Sequence, residues 1–408
     1  MPVQVIILVI LVILVILFIY YIGHYVQATL ERIYIEDSEQ LHLVCQRYSQ
    51  ADVLAIDTEF VRTRTLYPKL GLIQINDGKT LALIDPVAVP DLTSFWQLLE
   101  NSNIQKVLHA CSEDLEVFLT AGNCRPVNLI DSQIIMAFLG HGISMGYAAM
   151  ISHYTDIEVD KSESRTDWMK RPLTQNQLTY AAADVEHLFN ILPLLFADIE
   201  KAGWLCAAQE ESDVMVERKF SAIDESQLYL NLKMAWRLNP TQLYRLQQLT
   251  IWRYQQAKLK DRPIGFIAKD HTLLALAQIN PSNVGAMSGI EGVELLDIRH
   301  KGNAMLTVLK RAGEAKNIEL PPQIIRLDEY PGYKQNFKKV KNYITELSTQ
   351  TNLLPENLAS KKQMNQFLSW HFKLNGAENQ PKMVDIMCGW RKPLFGDKLL
   401  AFVDNDFQ

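Results

Sequence analysis

Asp57 and Glu59 are the first residues in this 408-residue chain whose types and spacing could do chemistry. They close an apolar run at residues 53–56 that is typical of a buried strand. Because side chains alternate along a strand, the two carboxylates project from one face, within about 7 Å of each other. Carboxylates this close repel each other unless a cation lies between them, and such oxygen ligands suit Mg²⁺ or Mn²⁺. The pair predicts a divalent metal site; the alternative is a strand that ends in a solvated acidic turn.

Two further acidic motifs follow along the chain. Asp114 comes after a second predicted strand at residues 106–110, in a segment for which Ser112 is a good helix N-cap. The helix dipole favours acidic residues in a first turn, so capping is the alternative explanation for Asp114. Tyr180 and Asp184 lie four residues apart in an alanine-rich, helix-favouring segment and therefore share one face. Alone, that motif could be a surface aspartate beside a half-buried tyrosine, but three such motifs in order predict one site.

The order of these motifs resembles that of the DEDD exonucleases that have tyrosine in the last motif. Four stretches are similar to the bacterial ribonuclease D family: AIDTEFVRTRTLYPKLGLIQI, LHACSEDLEVF, DKSESRTDW and RPLTQNQLTYAAADVEHL. The resemblance covers residues 33–310 well and the remainder loosely. It implies a 3′→5′ exoribonuclease that trims tRNA precursors and other small structured RNAs, releasing nucleoside 5′-monophosphates.

Hydrolysis of a phosphodiester bond is the chemistry that this set of residues could perform. It needs an activated water, neutralised phosphoryl oxygens and a stabilised leaving oxygen, and two metal ions about 4 Å apart can supply all three. The family pattern implies that Asp57 bridges both ions, that Glu59 and Asp184 hold the ion carrying the nucleophile, and that Asp114 supports the second. It also implies that Tyr180 orients the attacking water, since a phenol with a pKa of about 10 is a poor base at neutral pH.

Basic residues near these motifs could contact RNA. Arg62, Arg64 and Lys69 follow the first motif in a loop, where they could bind phosphate or simply be solvated. A second basic segment leads towards Tyr180 and contains Trp168, whose ring could stack on a base of single-stranded RNA or pack in the core. The RNA-binding residues expected in that segment are Lys161, Arg165 and Trp168.

Composition sets the outer bounds. An apolar content of 48% and a charged content of 21% are typical of a globular protein, and the length suggests two to four domains. The net charge of −6 does not favour an RNA enzyme. Phosphate binding depends on local positive charge, however, and cations offset the carboxylates of a metal site. The five cysteines are scattered without C-x-x-C pairing, as expected for reduced thiols of a cytoplasmic protein.

The N-terminus carries 18 consecutive apolar residues, at positions 5–22, which is just enough for a transmembrane span. No basic residue precedes them and no small-residue cleavage site follows, so they make a poor secretory signal. The ribonuclease D family begins near Tyr34, so residues 1–31 form an extension. They could be a genuine membrane anchor. Alternatively, they could be an upstream stretch that is not made in the cell and was included because the start codon was misplaced. We expect a cytoplasmic protein, tethered to the inner membrane only if the segment is real.

The second half of the chain is predicted to be helical, with helical apolar spacing from about Leu228 and a start signal at Asn239-Pro240. Residues 229–313 resemble the HRDC domain, a helical bundle that binds nucleic acid. Residues 335–408 resemble a second, degenerate copy. The expected linkers are residues 206–228 and 314–334.

The predicted architecture is an α/β domain of the RNase H-like type at residues 32–205, followed by all-α HRDC bundles. A mixed sheet would hold an antiparallel run and a further strand beside its first member, with helices on both faces. The segments of that sheet are residues 53–59, 70–76, 81–84 and 107–110. The metal site would lie where the first of them meets the helix carrying Tyr180.

Two other functions stay open. A DEDD-type DNA 3′–5′ exonuclease should carry polymerase or helicase motifs, and no P-loop or polymerase signature is present in the sequence. A non-catalytic nucleic-acid-binding protein should lack an acidic residue, and all four are present. The expected enzyme is a monomer that uses two divalent metal ions and no organic cofactor.

Overall fold

The computed structural model describes residues 30–379 and 384–405 of the protein. The apolar segment at residues 5–22, predicted to be an anchor or a product of a misplaced start, lies outside the described residues. Within the described residues, no helix combines the length and the apolar character that crossing a membrane requires.

A mixed sheet forms the centre of the N-terminal domain. Its strands are β1 (Glu31–Ile35), β2 (Val53–Val61), β3 (Lys69–Asn76), β4 (Thr80–Ile84), β5 (Gln105–Leu108) and β6 (Leu129–Asp131). Their order is β1-β4-β3-β2-β5-β6, in which β2, β3 and β4 form the antiparallel run and β5 lies parallel to β2. The predicted mixed sheet is confirmed, and β1 and β6 are additional strands that extend it at its two edges.

Helices cover both faces of this sheet. They are α1 (Ser38–Tyr48), α2 (Thr93–Leu99), α3 (Ser112–Val117), α4 (Ser132–Phe138), α5 (Tyr147–Tyr154), α6 (Gln175–Ala202) and α7 (Leu205–Phe220). Because β2 alternates, Leu54 and Ile56 point into the hydrophobic cluster shared with α1, α2 and α3. Ala55 points into the opposite cluster, which contains α6. Both faces of β2 are therefore buried before the strand reaches its acidic residues.

The long helix α6 is well defined by its ends. Thr174 and Gln177 form a reciprocal capping box at its start, and it ends at Gly203, whose φ of 78° is the left-handed conformation that glycine adopts without strain. Ala181 and Ala182 are buried on the face that contacts the sheet. Small side chains there allow α6 to lie close to β2, which brings one turn of the helix beside the end of that strand.

Residues 206–228, predicted to be a linker, are instead mainly occupied by the helix α7. The helix packs on β6 through small residues: Ala208 and Ser212 are fully buried, and the Ser212 hydroxyl accepts a hydrogen bond of 3.1 Å from the Asp131 N–H. Alanine and serine give little hydrophobic signal, and the larger apolar residues of the helix, such as those at positions 214–216, adjoin one another and do not recur with a helical period. The apolar periodicity that identifies a helix was therefore too weak to detect.

The second half of the chain is helical, as predicted. Its helices are α8 (Pro240–Lys260), α9 (Ile264–Ile267), α10 (Asp270–Ile279), α11 (Val284–Met287), α12 (Leu295–Glu314), α13 (Tyr333–Thr351), α14 (Pro355–Leu358), α15 (Lys361–His371) and α16 (Asp397–Asp404). The first helical bundle, α8 to α12, encloses a hydrophobic cluster of its own around Leu246, Leu273 and Met305.

The second helical bundle, α13 to α16, shares a hydrophobic cluster with the N-terminal domain. The Trp390 ring lies 5.1 Å from Phe138 and 6.0 Å from Trp204 between ring centroids. Arg391 forms an ion pair with Glu211 of α7. The second helical bundle therefore packs against the N-terminal domain and covers part of its hydrophobic core.

Candidate metal centre and active site

The end of β2 forms an open edge of the sheet. β2 pairs with β5 only as far as Ala55, because β5 stops at Leu108 and the chain turns sharply towards α3. Ala110 in this turn has a φ of 55°, a left-handed conformation that is uncommon for alanine. As a result, Asp57 and Glu59 lie where one neighbouring strand has ended and side chains from two helices can reach them.

Three carboxylates meet at this edge. One oxygen atom from each of Asp57, Glu59 and Asp184 can be chosen so that all three lie within 4.8 Å of one another. Asp184 reaches the strand from α6, and Tyr180, one turn earlier on the same helix, lines the same cavity. The strand spacing of two and the helix spacing of four thus converge on one position, which is the location predicted for the metal site.

Asp114 approaches from the other side. It lies in the first turn of α3, is buried with 7% exposure, and accepts a hydrogen bond from the Thr58 hydroxyl. Thr58 stands between the two acidic residues of β2, so its side chain leaves the opposite face of the strand. Asp114 is therefore a neighbour of the cluster of three, and its oxygens are not part of that cluster.

The electrostatics of the site are unfavourable for bare carboxylates. Burial, followed by the charge of Asp184, raises the pKa of Asp57 well above its usual range. Burial and the neighbouring carboxylates raise the pKa of Glu59 to about 10. Burial raises the pKa of Asp184 to about 7, against the hydrogen bond from Tyr180, which lowers it. Within the described residues, no lysine or arginine forms an ion pair with any of these groups.

These observations fit a divalent metal ion. Partly buried carboxylate oxygens with no protein cation beside them are the donor set that Mg²⁺ and Mn²⁺ prefer. A bound cation would favour the charged forms that burial disfavours. Asp57, Glu59 and Asp184 could hold such an ion directly, and Asp114 lies beside them.

A small cavity of about 140 Å³ opens beside this cluster. Its polar lining consists of Asp57, Asp184, Tyr180, His109 and Tyr147. The Tyr147 hydroxyl donates a hydrogen bond to the main-chain oxygen of Asp184. Tyr147 was not identified from the sequence, since it belongs to no acidic motif and comes to the cavity only through the packing of α5 on α6.

His109 has a structural role at this cavity. Its Nδ1 lies 3.0 Å from the Ser132 hydroxyl, its Nε2 lies 3.1 Å from the main-chain oxygen of Met145, and its ring packs on Tyr147. Burial lowers its pKa, so the neutral form is favoured. Both ring nitrogens are occupied, as expected for a residue that is not a metal ligand.

The turn before α3 is held by Asp131. Its carboxylate accepts hydrogen bonds from the N–H groups of Ala110 (2.8 Å), Cys111 (3.0 Å) and Gln133 (2.8 Å). Asp131 is thus the N-cap of α4, and it also fixes the left-handed residue that orients α3. Ser112, expected to be an N-cap, is instead the first residue of α3, and the capping position is Cys111.

The basic residues predicted to bind RNA divide into two groups. Arg62 forms ion pairs with Glu113 (2.5 Å) and Glu116 (2.8 Å), so its charge is already engaged on α3. The other four are exposed and have no ion-pair partner within the part of the chain that the structure describes. They are Arg64, Lys69, Lys161 and Arg165.

Trp168 corrects an expectation. Its side chain is only 1% exposed, and its ring centroid lies 6.2 Å from that of Tyr180. A ring that is enclosed in this way offers no face to a base, so the prediction of base stacking by Trp168 is wrong. The aromatic residue within a basic segment instead packs behind Tyr180 in the hydrophobic core.

Gln74 is an unusual neighbour of the site. It lies on β3 directly opposite Asp57 and is completely buried. Neither its Nε2 nor its Oε1 has a hydrogen-bond partner among the described residues. Two residues along the same strand, Asn76 is also buried, but its amide donates to the main-chain oxygen of Val185 at 3.2 Å.

We expect Gln74→Met to stabilise the protein. A buried amide without partners costs about 1–3 kcal/mol, and methionine fills a similar volume without polar atoms. The free energy of unfolding from urea denaturation should therefore rise by roughly 1 kcal/mol or more. Asn76→Leu, which removes a satisfied amide, is the matched control and should destabilise. A loss of stability in Gln74→Met would contradict the expectation.

Three families match separate parts of this chain. The 3′-5′ exonuclease family matches residues 33–200, a segment that contains every residue of the predicted catalytic set. The HRDC domain matches residues 242–309. The C-terminal HRDC domain of ribonuclease D matches residues 331–399.

Full-length relatives cover most of the chain. Ribonuclease D of Escherichia coli (strain K12) is 39% identical over 365 residues, which is 90% of this chain and 96% of the relative. Ribonuclease D of Shewanella sp. (strain ANA-3) is 42% identical over 371 residues, 90% of this chain and 92% of the relative. The crystal structure of Escherichia coli RNase D, described as an exoribonuclease involved in structured RNA processing, has a TM-score of 0.87 and 38% identity. It covers 93% of this chain and 100% of that chain.

Proposed function

Since this chain belongs to the ribonuclease D family and is a 3′→5′ exoribonuclease, we propose that it trims the 3′ ends of tRNA precursors and other small structured RNAs. It would act in the cytoplasm as a monomer and release nucleoside 5′-monophosphates. The observation that carries the proposal is the convergence of three carboxylates on one point, with Asp114 and Tyr180 beside them.

The carboxylates of this site would hold two divalent ions, Mg²⁺ or Mn²⁺. Asp57, Glu59 and Asp184 are close enough together to share ligation, and Asp114 would support the second ion from α3. When bound, the ions would supply positive charge for the phosphoryl oxygens and lower the pKa of water. The protein's own contribution is to keep the carboxylates in place before RNA arrives, through β2, α3 and α6.

Tyr180 would orient the attacking water. It lies one helical turn before Asp184, its ring is supported by Trp168, and it lines the cavity next to Asp57. Burial, followed by the charge of Asp184, raises the pKa of Tyr180 above its ordinary value, so the phenol stays protonated at neutral pH. A protonated phenol is not available as a base, but its hydroxyl can position a water molecule by hydrogen bonding. Orientation is therefore the role that its chemistry supports.

The direction of RNA degradation and the chemical identity of the released nucleotide together test this function. We expect a 5′-labelled RNA with a single-stranded 3′ end to shorten one nucleotide at a time, and chromatography to identify the product as nucleoside 5′-monophosphate. Chelation by EDTA should abolish the reaction, and Mg²⁺ or Mn²⁺ should restore it. The control is a DNA oligonucleotide of the same sequence, which should be degraded much more slowly. Internal cleavage, shortening from the 5′ end, or activity that resists EDTA would contradict the proposal.

A further inference from the structure

The loop between β2 and β3, residues 62–68, is held by a residue of the first helical bundle. The main-chain N–H groups of Leu66 and Tyr67 both donate hydrogen bonds to Oδ1 of Asp261, at 3.0 and 3.1 Å. Asp261 is the residue at which α8 ends, and its backbone is left-handed, with φ 45° and ψ 57°. One carboxylate oxygen from the bundle therefore fixes two consecutive peptide groups of the catalytic domain.

The same loop has a second anchor at its other end. Arg62 forms ion pairs with Glu113 and Glu116 of α3, the helix that carries Asp114. The loop begins immediately after β2, on which Glu59 lies. It therefore links the helix next to the metal centre to the first helical bundle, and it begins three residues after Glu59.

Arg64 lies between the two anchors. It is exposed, and within the described residues it has no ion-pair partner. Since the chain is fixed on both sides of it, its guanidinium is presented from a defined position and not from a free loop. A cation held in this way loses less conformational entropy when it binds a phosphate.

A large cleft under this loop is the alternative site for the RNA backbone. It has a volume of about 1200 Å³ and is lined by residues that include Tyr67 and Tyr254. Its charged groups are already paired: Lys219 with Glu116 at 3.4 Å, and Lys258 with Glu225 at 3.4 Å. Of the loop and the cleft, the loop is therefore the better site for the phosphate backbone of RNA.

We propose that Asp261 is a positioning residue for RNA binding: it holds the 62–68 loop so that Arg64 contacts a backbone phosphate outside the metal centre. This inference rests on the proposed function, because it concerns how the RNA substrate is held. It assigns the first helical bundle an indirect role, in which the bundle organises a binding element of the catalytic domain. The chemistry at Asp57 and Tyr180 does not depend on the contact.

The left-handed conformation of Asp261 provides a matched pair of variants. Asp261→Gly removes the carboxylate while glycine adopts the same backbone conformation without strain. Asp261→Asn keeps an oxygen that can accept both hydrogen bonds, and asparagine also tolerates this conformation. The two variants therefore differ in the contact to the loop, and neither should disturb the end of α8.

Affinity for single-stranded RNA, measured by fluorescence anisotropy with EDTA present, separates binding from hydrolysis. We expect Asp261→Gly to weaken binding by about fivefold to tenfold, the effect of one charge-assisted contact, and Asp261→Asn to restore it. The slope of log affinity against log salt should flatten by about 0.7, the value for one phosphate contact on a single strand. Arg64→Gln should have the same effects, and the double variant Asp261→Gly with Arg64→Gln should be no weaker than either alone.

Several results would overturn the proposal. They are unchanged affinity in Asp261→Gly, an unchanged salt slope, full additivity with Arg64→Gln, or an equal loss in Asp261→Asn. With Mg²⁺ present, KM should rise in Asp261→Gly and kcat should stay near its normal value. A fall in kcat with unchanged KM would equally count against it. Because affinity is measured without hydrolysis, failure of the exoribonuclease function would show separately, as a wild-type protein that binds RNA and does not shorten it.

Discussion

Asp57→Asn should abolish hydrolysis of RNA. Asp57 is one of the two members of the carboxylate cluster that lie on β2, and the substitution removes its charge while keeping its shape. Loss of a carboxylate that is proposed to be shared by two ions should remove several kcal/mol of transition-state stabilisation, a factor of roughly 10³ or more in rate. Binding of RNA in EDTA should be largely retained, since the phosphate contact proposed for Arg64 lies outside the carboxylate cluster.

The control for this variant is Asp52→Asn, the same substitution at an exposed position just before the same strand. It should leave the rate unchanged. The measurement is turnover of a 5′-labelled single strand with Mg²⁺ and, separately, with Mn²⁺. An Asp57→Asn rate within tenfold of wild type under either condition would remove Asp57 from the metal site.

Tyr180→Phe should reduce turnover by about 10²-fold with little change in metal affinity, because it keeps the ring and removes only the hydroxyl that would orient the water. Packing against Trp168 should be preserved, so the stability of the protein should stay close to that of wild type. The measurements are kcat with saturating RNA and the Mg²⁺ concentration that gives half of the maximal rate.

Tyr154→Phe offers a matched loss of a hydroxyl elsewhere. The Tyr154 hydroxyl also hydrogen-bonds to a carboxylate, that of Asp198 at 3.1 Å, but Tyr154 does not line the cavity next to Asp57. Its removal should leave kcat near normal. If Tyr180→Phe lost metal affinity in proportion to its rate, Tyr180 would be supporting the ligands and not the water. If Tyr180→Phe were fully active, its role would be packing alone.

The local parts of this site could be predicted because each follows from a short-range rule. A spacing of two in β2 sets Asp57 and Glu59 on one face, and a spacing of four in α6 does the same for Tyr180 and Asp184. The contact between these two faces joins residues that are distant in sequence. The spacing of the residues does not predict this contact, whereas the resemblance to the DEDD exonucleases does. The roles of these residues in catalysis stay predictions.

What could not be predicted depends on packing between distant segments. Trp168 looked accessible because its neighbours are charged, but in the structure those neighbours face solvent while the ring faces Tyr180. Arg62 looked free because its partners, Glu113 and Glu116, lie on a separate helix. Tyr147 belongs to no motif. In each case the deciding contact joins residues whose separation in sequence gives no periodic signal.

The return of the second helical bundle to the catalytic domain has a consequence for biosynthesis. Phe138 and Trp204 are made early, and the ring that covers them, Trp390, is synthesised 186 residues after Trp204. Until then the nascent domain exposes apolar surface from its own core, a state that favours misassembly and chaperone binding. The first helical bundle, with its separate cluster, can be completed in the meantime. The N-terminal domain therefore begins to fold first but is completed only after the first helical bundle has been synthesised.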